Sequence, residues 1–163
     1  MIDGDLFPAQ PEPLPLRCSR ARFRMKLPFL DEVEFQEVEG DFVRLGRTSY
    51  KGFQYFALQL RDESNVLNVL FSETSAAFVF LLRHLVGRRF SYVDILLNKE
   101  DEDKRLIVLL DGRQVEPIKD LQLPKITKYR VIDGKKVEQH DYSKRLEAIE
   151  NIVNEINKCN PRA

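Results

Sequence analysis

Arg22, Arg24 and Lys26 alternate with Phe23, Met25 and Leu27. A period of two puts the three cations on one face of a β-strand and the apolar residues on the other. Carrying the alternation through the following segments adds Phe42, Arg44, Phe53, Tyr55, Gln59 and Arg61 to the cationic face. Such a face suits a single nucleic-acid strand: cations neutralise phosphates, flat rings stack on bases and amides meet base edges. Stacking contributes about 1–3 kcal/mol per base, so a few rings outweigh a modest basic excess. The same residues admit a second reading. Phe42, Phe53 and Tyr55 pack inside the molecule, and the arginines pair with the acidic run Asp31, Glu32, Glu34, Glu37, Glu39 and Asp41. Lys128, Tyr129 and Arg130, crowded with Lys125, Lys135 and Lys136, form another basic and aromatic edge. It serves either phosphate contact or protection against edge pairing.

Catalytic chemistry has a thinner basis. The two histidines are His84, inside an apolar helical stretch where a packed histidine is the default, and His140, followed by Asp141. A His-Asp metal pair needs further His and Asp ligands at fixed spacing, and the sequence does not supply them. Asp94, Glu102 and Lys104 approximate the acidic pair and lysine of a metal-dependent nuclease, a remote alternative. Phosphate-binding glycine loops and a nucleophile elbow are missing. The expectation is a non-enzymatic protein with no catalytic residues, no cofactor and no metal.

The elements that position these residues follow from pattern. Residues 1–20 carry Pro8, Pro11, Pro13 and Pro15 and read as a flexible arm. Residues 21–159 read as one domain of two successive halves, about 21–87 and 88–159, with a tail at 160–163. In the first half, strands are expected at 21–27, 33–38, 42–48, 53–61 and 66–71; the second and third form a hairpin or one strand bent at a glycine bulge. Ser72 is the expected cap of a helix ended by Gly87. In the second half, strands at 92–97, 106–110, 114–118, 126–132 and 135–140 precede a helix capped by Ser143, with Asp133-Gly134 as a type I′ turn. On that helix Leu146, Ile149, Ile152, Val153 and Ile156 make one apolar stripe. The stripe either covers the protein's own sheet or forms the seam of a homo-oligomer, a dimer being favoured. The fold class is therefore α+β, each half made of antiparallel strands followed by one helix (ββββα-ββββα).

This doubled order resembles the Whirly and Pur-type proteins and, for one half, a family of single-strand-binding coactivators. Residues 35–60, a strand and glycine turn leading through Lys51-Gly52 into an apolar strand, are similar to the Whirly pattern; the helix after residues 66–71 looks Pur-like. The lysine-glycine-lysine-alanine run of plant Whirly proteins is replaced by residues 21–27. The resemblance implies single-stranded DNA or RNA as partner, bound on a sheet, and frequent oligomerisation.

Composition sets the outer bounds. The 163 residues carry 26 Lys and Arg against 26 Asp and Glu, so polyanion binding must rest on local charge rather than net charge. Two cysteines, Cys18 and Cys159, without close spacing argue against a disulfide framework and a cysteine-based zinc site. With no apolar leader and no apolar run near the roughly 20 residues that span a bilayer, an intracellular, reducing location is expected, in cytoplasm or nucleus, and no membrane partner.

Overall fold

The computed structural model describes residues 19–27, 34–98, 106–118, 120–124, 127–140 and 142–160. Strands β1 (Arg20–Leu27), β2 (Glu34–Tyr50), β3 (Phe53–Asp62) and β4 (Asn65–Ser72) lead into helix α1 (Ala76–Leu85). There follow β5 (Tyr92–Asn98), β6 (Leu106–Leu110), the two-residue β7 (Arg113–Gln114), β8 (Thr127–Ile132), β9 (Lys135–His140) and helix α2 (Ser143–Cys159). The protein is α+β. Seven strands form one sheet in the order β4-β3-β2-β1-β5-β6-β7, with β8 and β9 as a separate ribbon.

The first pass of strands then helix is present, but the second half does not form a sheet of its own. β5 joins β1 in parallel, so the two halves share one sheet, and β6 and β7 extend it antiparallel. Residues 115–118 are not strand. Of the two forms expected for residues 33–48, the single long strand is found: β2 has 17 residues, with its irregularity between Phe42 and Arg44 rather than at the glycine. β2 changes partner along its length: Glu34 to Asp41 pair with β1, and Asp41 to Tyr50 with β3. Where it changes over, the backbone of β3 comes so close that a Cβ on Gly40 would lie 2.6 Å from the Arg61 carbonyl oxygen. Only glycine fits that crossing. The Lys51-Gly52, Asp111-Gly112 and Asp133-Gly134 turns have both central φ angles positive, the type I′ geometry that matches strand twist.

One side of the sheet carries the core. Ala21 and Phe23, Leu45, Phe56, Leu58 and Leu60, Phe71, Val93 and Ile95, and Val108 are buried there against both helices. The Phe78 ring on α1 stacks on Phe56 with centroids 4.8 Å apart and leans on Phe71 at 5.2 Å, which fixes α1 to the β3–β4 ribbon. Ser75, not Ser72, caps α1, accepting from the Phe78 N–H, because Ser72 still belongs to β4. In α2, Tyr142 occupies the capping position and Ser143 is the first helical residue, with no side-chain cap bond.

Helix α2 is held by amides as well as by its apolar stripe. The Asn157 side chain accepts from the Leu45 N–H at 3.0 Å and donates to the Leu45 carbonyl at 2.9 Å. It thus satisfies the edge of β2 that has no strand beside it there among the described residues. Asn160 does the same for the α1–β5 connection, accepting from the Phe90 N–H and donating to the Arg88 carbonyl. Among the described residues no helix is long and apolar enough to cross a membrane.

Candidate nucleic-acid interface

The outer face of the sheet, away from the helices, is where alternation placed the basic and aromatic residues. It consists of two chemically different halves.

Over β1, β5 and the first half of β2 the cations are matched by carboxylates. Register sets Arg22 opposite Glu39 on one side and Asp94 on the other, and Arg24 opposite Glu37. Arg20 bonds Glu39 and Asp41, each at 3.2 Å. Arg22 grips Asp94 through two nitrogens, at 2.6 and 3.3 Å, and also approaches Glu37. Arg24 donates to the same carboxylate at 3.2 Å. The Asp94 side chain is only 9% exposed, so two guanidiniums compensate a nearly buried charge. Its hydrogen bond, opposed by desolvation, raises the Arg22 pKa well above the ordinary arginine value. Burial, with the nearby Glu39 carboxylate, raises the Tyr92 phenol, whose hydroxyl donates to Glu39. Arg22 and Arg24 therefore form a structural ion network rather than a free phosphate-binding row; the acidic run named by the second reading of the sequence supplies Glu37, Glu39 and Asp41 to Arg20 and Arg22, while the main acceptor, Asp94, lies outside it. Lys26, half-buried, lies at the far end of β1 beyond this network.

The other half of the face, over the β2–β3 ribbon, is aromatic. Phe53 is 67% exposed and Tyr50, opposite it in register, 52%. Tyr55, next on the same face, is half-buried. The Lys51 ammonium lies 5.3 Å from the Tyr50 ring centroid, a cation–π contact at the turn. Further along, Arg44 and Gln59 are register partners, and the Arg44 Nε donates to the Gln59 amide oxygen at 2.9 Å. Among the described residues no carboxylate pairs with Arg44. Arg61 stands opposite Asp41, at the border between the two halves.

Phe42 is a correction. It is 1% exposed on the helix side, its ring edge-on to Phe90 at 5.4 Å, and takes no part in the outer face. The irregularity after it resets the alternation, so that Phe42 and Leu45, three residues apart, both point inward. The α2 stripe is a second correction. Ile149, Val153 and Ile156 are buried within the chain, and Leu146 and Ile152 pack against the same core, so the stripe covers the protein's own sheet. Lys128, Tyr129 and Arg130 lie in β8; their side chains are outside the described residues.

The catalytic alternatives meet the same geometry. Asp94 is occupied by arginines, and Glu102 and Lys104 lie outside the described residues. Among those described, no three His, Cys, Asp or Glu side chains converge as a metal site. His84 is buried and hydrogen-bonds the Phe80 carbonyl at 2.7 Å. The parity argument missed Tyr50 and Lys51, although two aromatics flanking a Lys-Gly turn were a visible sign of a ringed hairpin tip. It also missed Asp94 as the neutralising group; a lone carboxylate in the apolar run of β5 was its signal.

No protein-family model matches the chain, nor does any curated protein or solved structure.

Proposed function

We propose that this protein binds single-stranded DNA or RNA without catalysis, and that the strand lies along the outer face of the β2–β3 ribbon. Phe53 and Tyr50 are the stacking platforms, Tyr55 the inner ring, and Arg44 and Lys51 the phosphate contacts. The observation that carries this reading is the exposure of Phe53 and Tyr50 side by side on a twisted ribbon. Large exposed rings on one ribbon with cations that have no carboxylate partner among the described residues suit bases and phosphates, whereas the ion-paired half over β1 does not. The likeness of the first half to Whirly and Pur-type order supports the same partner. On this reading β5 to β9 and α2 are a second pass of the programme, its strands divided between the main sheet and a separate ribbon.

The test is fluorescence anisotropy with labelled single-stranded DNA, single-stranded RNA and duplex. Single strands bind in preference, and Phe53→Ala weakens binding about 5- to 150-fold, the equivalent of roughly 1–3 kcal/mol of stacking. Because Phe53 is largely exposed, its truncation leaves the melting temperature nearly unchanged. Equal affinity for duplex, or an unaltered Phe53→Ala variant, overturns the proposal.

A further inference from the structure

A cleft of about 510 Å³ lies between β4 and the first half of β2. Its lining includes every residue from 68 to 72 of β4, and Gln36, Glu37 and Val38 of β2. Successive side chains of a strand point to opposite faces, so a cleft touched by every residue of a run is walled by the edge of that strand, not by a face. Both walls are thus strand edges. Neither has a partner among the described residues: β4 ends the sheet order, and β2 pairs with β3 only from Asp41 onward. The floor is apolar, with Phe23 and Phe71 edge to face at 6.0 Å, and Met25 and Leu97 beside them.

Two further features set this cleft apart from an ordinary surface hollow. Exposed edges are commonly blunted by charge, proline or a bulge, yet β4 reads Asn-Val-Leu-Asn-Val-Leu-Phe-Ser and pairs with β3 without interruption. And the chain does cover a bare edge elsewhere, since Asn157 satisfies Leu45 on the second half of β2.

We infer that the cleft is a docking site for one extended, uncharged segment of a partner protein, which adds a strand to β4. The bare N–H and C=O groups select an occupant that carries its own backbone donors and acceptors. The apolar floor selects side chains at every second position. Charge complementarity selects neutrality: β4 bears no charge and the Glu37 carboxylate is engaged by Arg22. This inference is independent of the nucleic-acid reading, which uses other residues.

The test pans a random decapeptide library displayed on phage against the full-length protein, followed by synthesis of enriched peptides. Expected are sequences with apolar residues at alternate positions and few charges. Their binding slows amide hydrogen exchange at least tenfold at the alternate residues of 68–72 whose N–H groups face away from β3. N-methylation of alternate peptide nitrogens lowers affinity at least tenfold in the register facing β4, and Asn68→Lys, an exposed edge position, does the same from the protein side. Absence of enrichment, protection elsewhere, indifference to N-methylation, or edge-facing amides within 68–72 already protected in the free protein by self-association would each overturn the inference.

Discussion

Asp94 gives the sharpest test of the ion network, because one carboxylate there holds two guanidiniums. Its replacement by Asn keeps the shape and removes the charge. Lost are the charge-assisted bonds from Arg22 at 2.6 and 3.3 Å and from Arg24 at 3.2 Å. Fully buried, such a loss would cost about 3–5 kcal/mol. The arginine side chains are 31% and 29% exposed, so water recovers part of it, and about 2 kcal/mol is expected. In a chain of this size that lowers the thermal midpoint by roughly 4–8 °C. Differential scanning calorimetry in low salt and in 1 M salt checks the cause. At 1 M the Debye length is about 3 Å, so the repulsion between Arg22 and Arg24 is screened and the gap between variant and parent narrows. A loss below about 0.5 kcal/mol, or a gap indifferent to salt, would refute the account of Asp94 as the compensating charge. The same variant locates the nucleic acid. If the strand follows the β2–β3 ribbon, releasing two arginines on β1 changes affinity less than about twofold; a tenfold gain would place the strand across β1 instead.

Two other positions have definite expectations. Burial holds the His84 pKa below its ordinary value, so the unfolded chain takes up a proton near pH 6.5 while the folded one resists it. Its contribution is complete above that pH and is lost as the pH falls through 6.5 toward the lower folded value; urea midpoints between pH 7.5 and 5 decline, and His84→Phe makes them flatter. Asn157→Ala leaves the Leu45 N–H and C=O without their partner and costs about 1–3 kcal/mol in urea unfolding, with an unchanged m-value.

The period of two was enough to place Phe23, Phe56, Leu58, Leu60 and Phe71 inside and Arg22, Arg24, Phe53 and Tyr55 outside, because the alternation of β1, β3 and β4 runs without an inserted residue. It failed at Phe42, where one extra residue in β2 shifts every later side chain by a face, and nothing in the local composition marks that insertion. The fate of the outer cations was illegible for a different reason. Arg22 and Asp94 are 72 positions apart and meet only because β5 enters the sheet in parallel beside β1. Helical spacing correctly gave the α2 stripe, but whether that stripe faced its own sheet or a second chain depended on Asn157 reaching Leu45, 112 positions away.

One feature of β2 links these outcomes. A strand that pairs with β1 along its first half and β3 along its second leaves each half one edge with no strand beside it among the described residues. On the second half Asn157 fills the edge, and the ribbon beyond it, attached to the core through Phe56 and Phe78, is free to present Tyr50 and Phe53 to solvent. On the first half the outer face is tied up in ion pairs while the bare edge turns toward β4 and makes the cleft. The bend near Gly40 therefore divides the molecule into a surface fit for rings and phosphates and an edge fit for a peptide backbone. Phe53→Ala leaves the cleft intact, since Phe53 pairs with Tyr50 at the turn and takes no part in the cleft lining, whereas Asn68 stands opposite Gln59, the partner of Arg44, so a lysine there is read out by peptide binding alone.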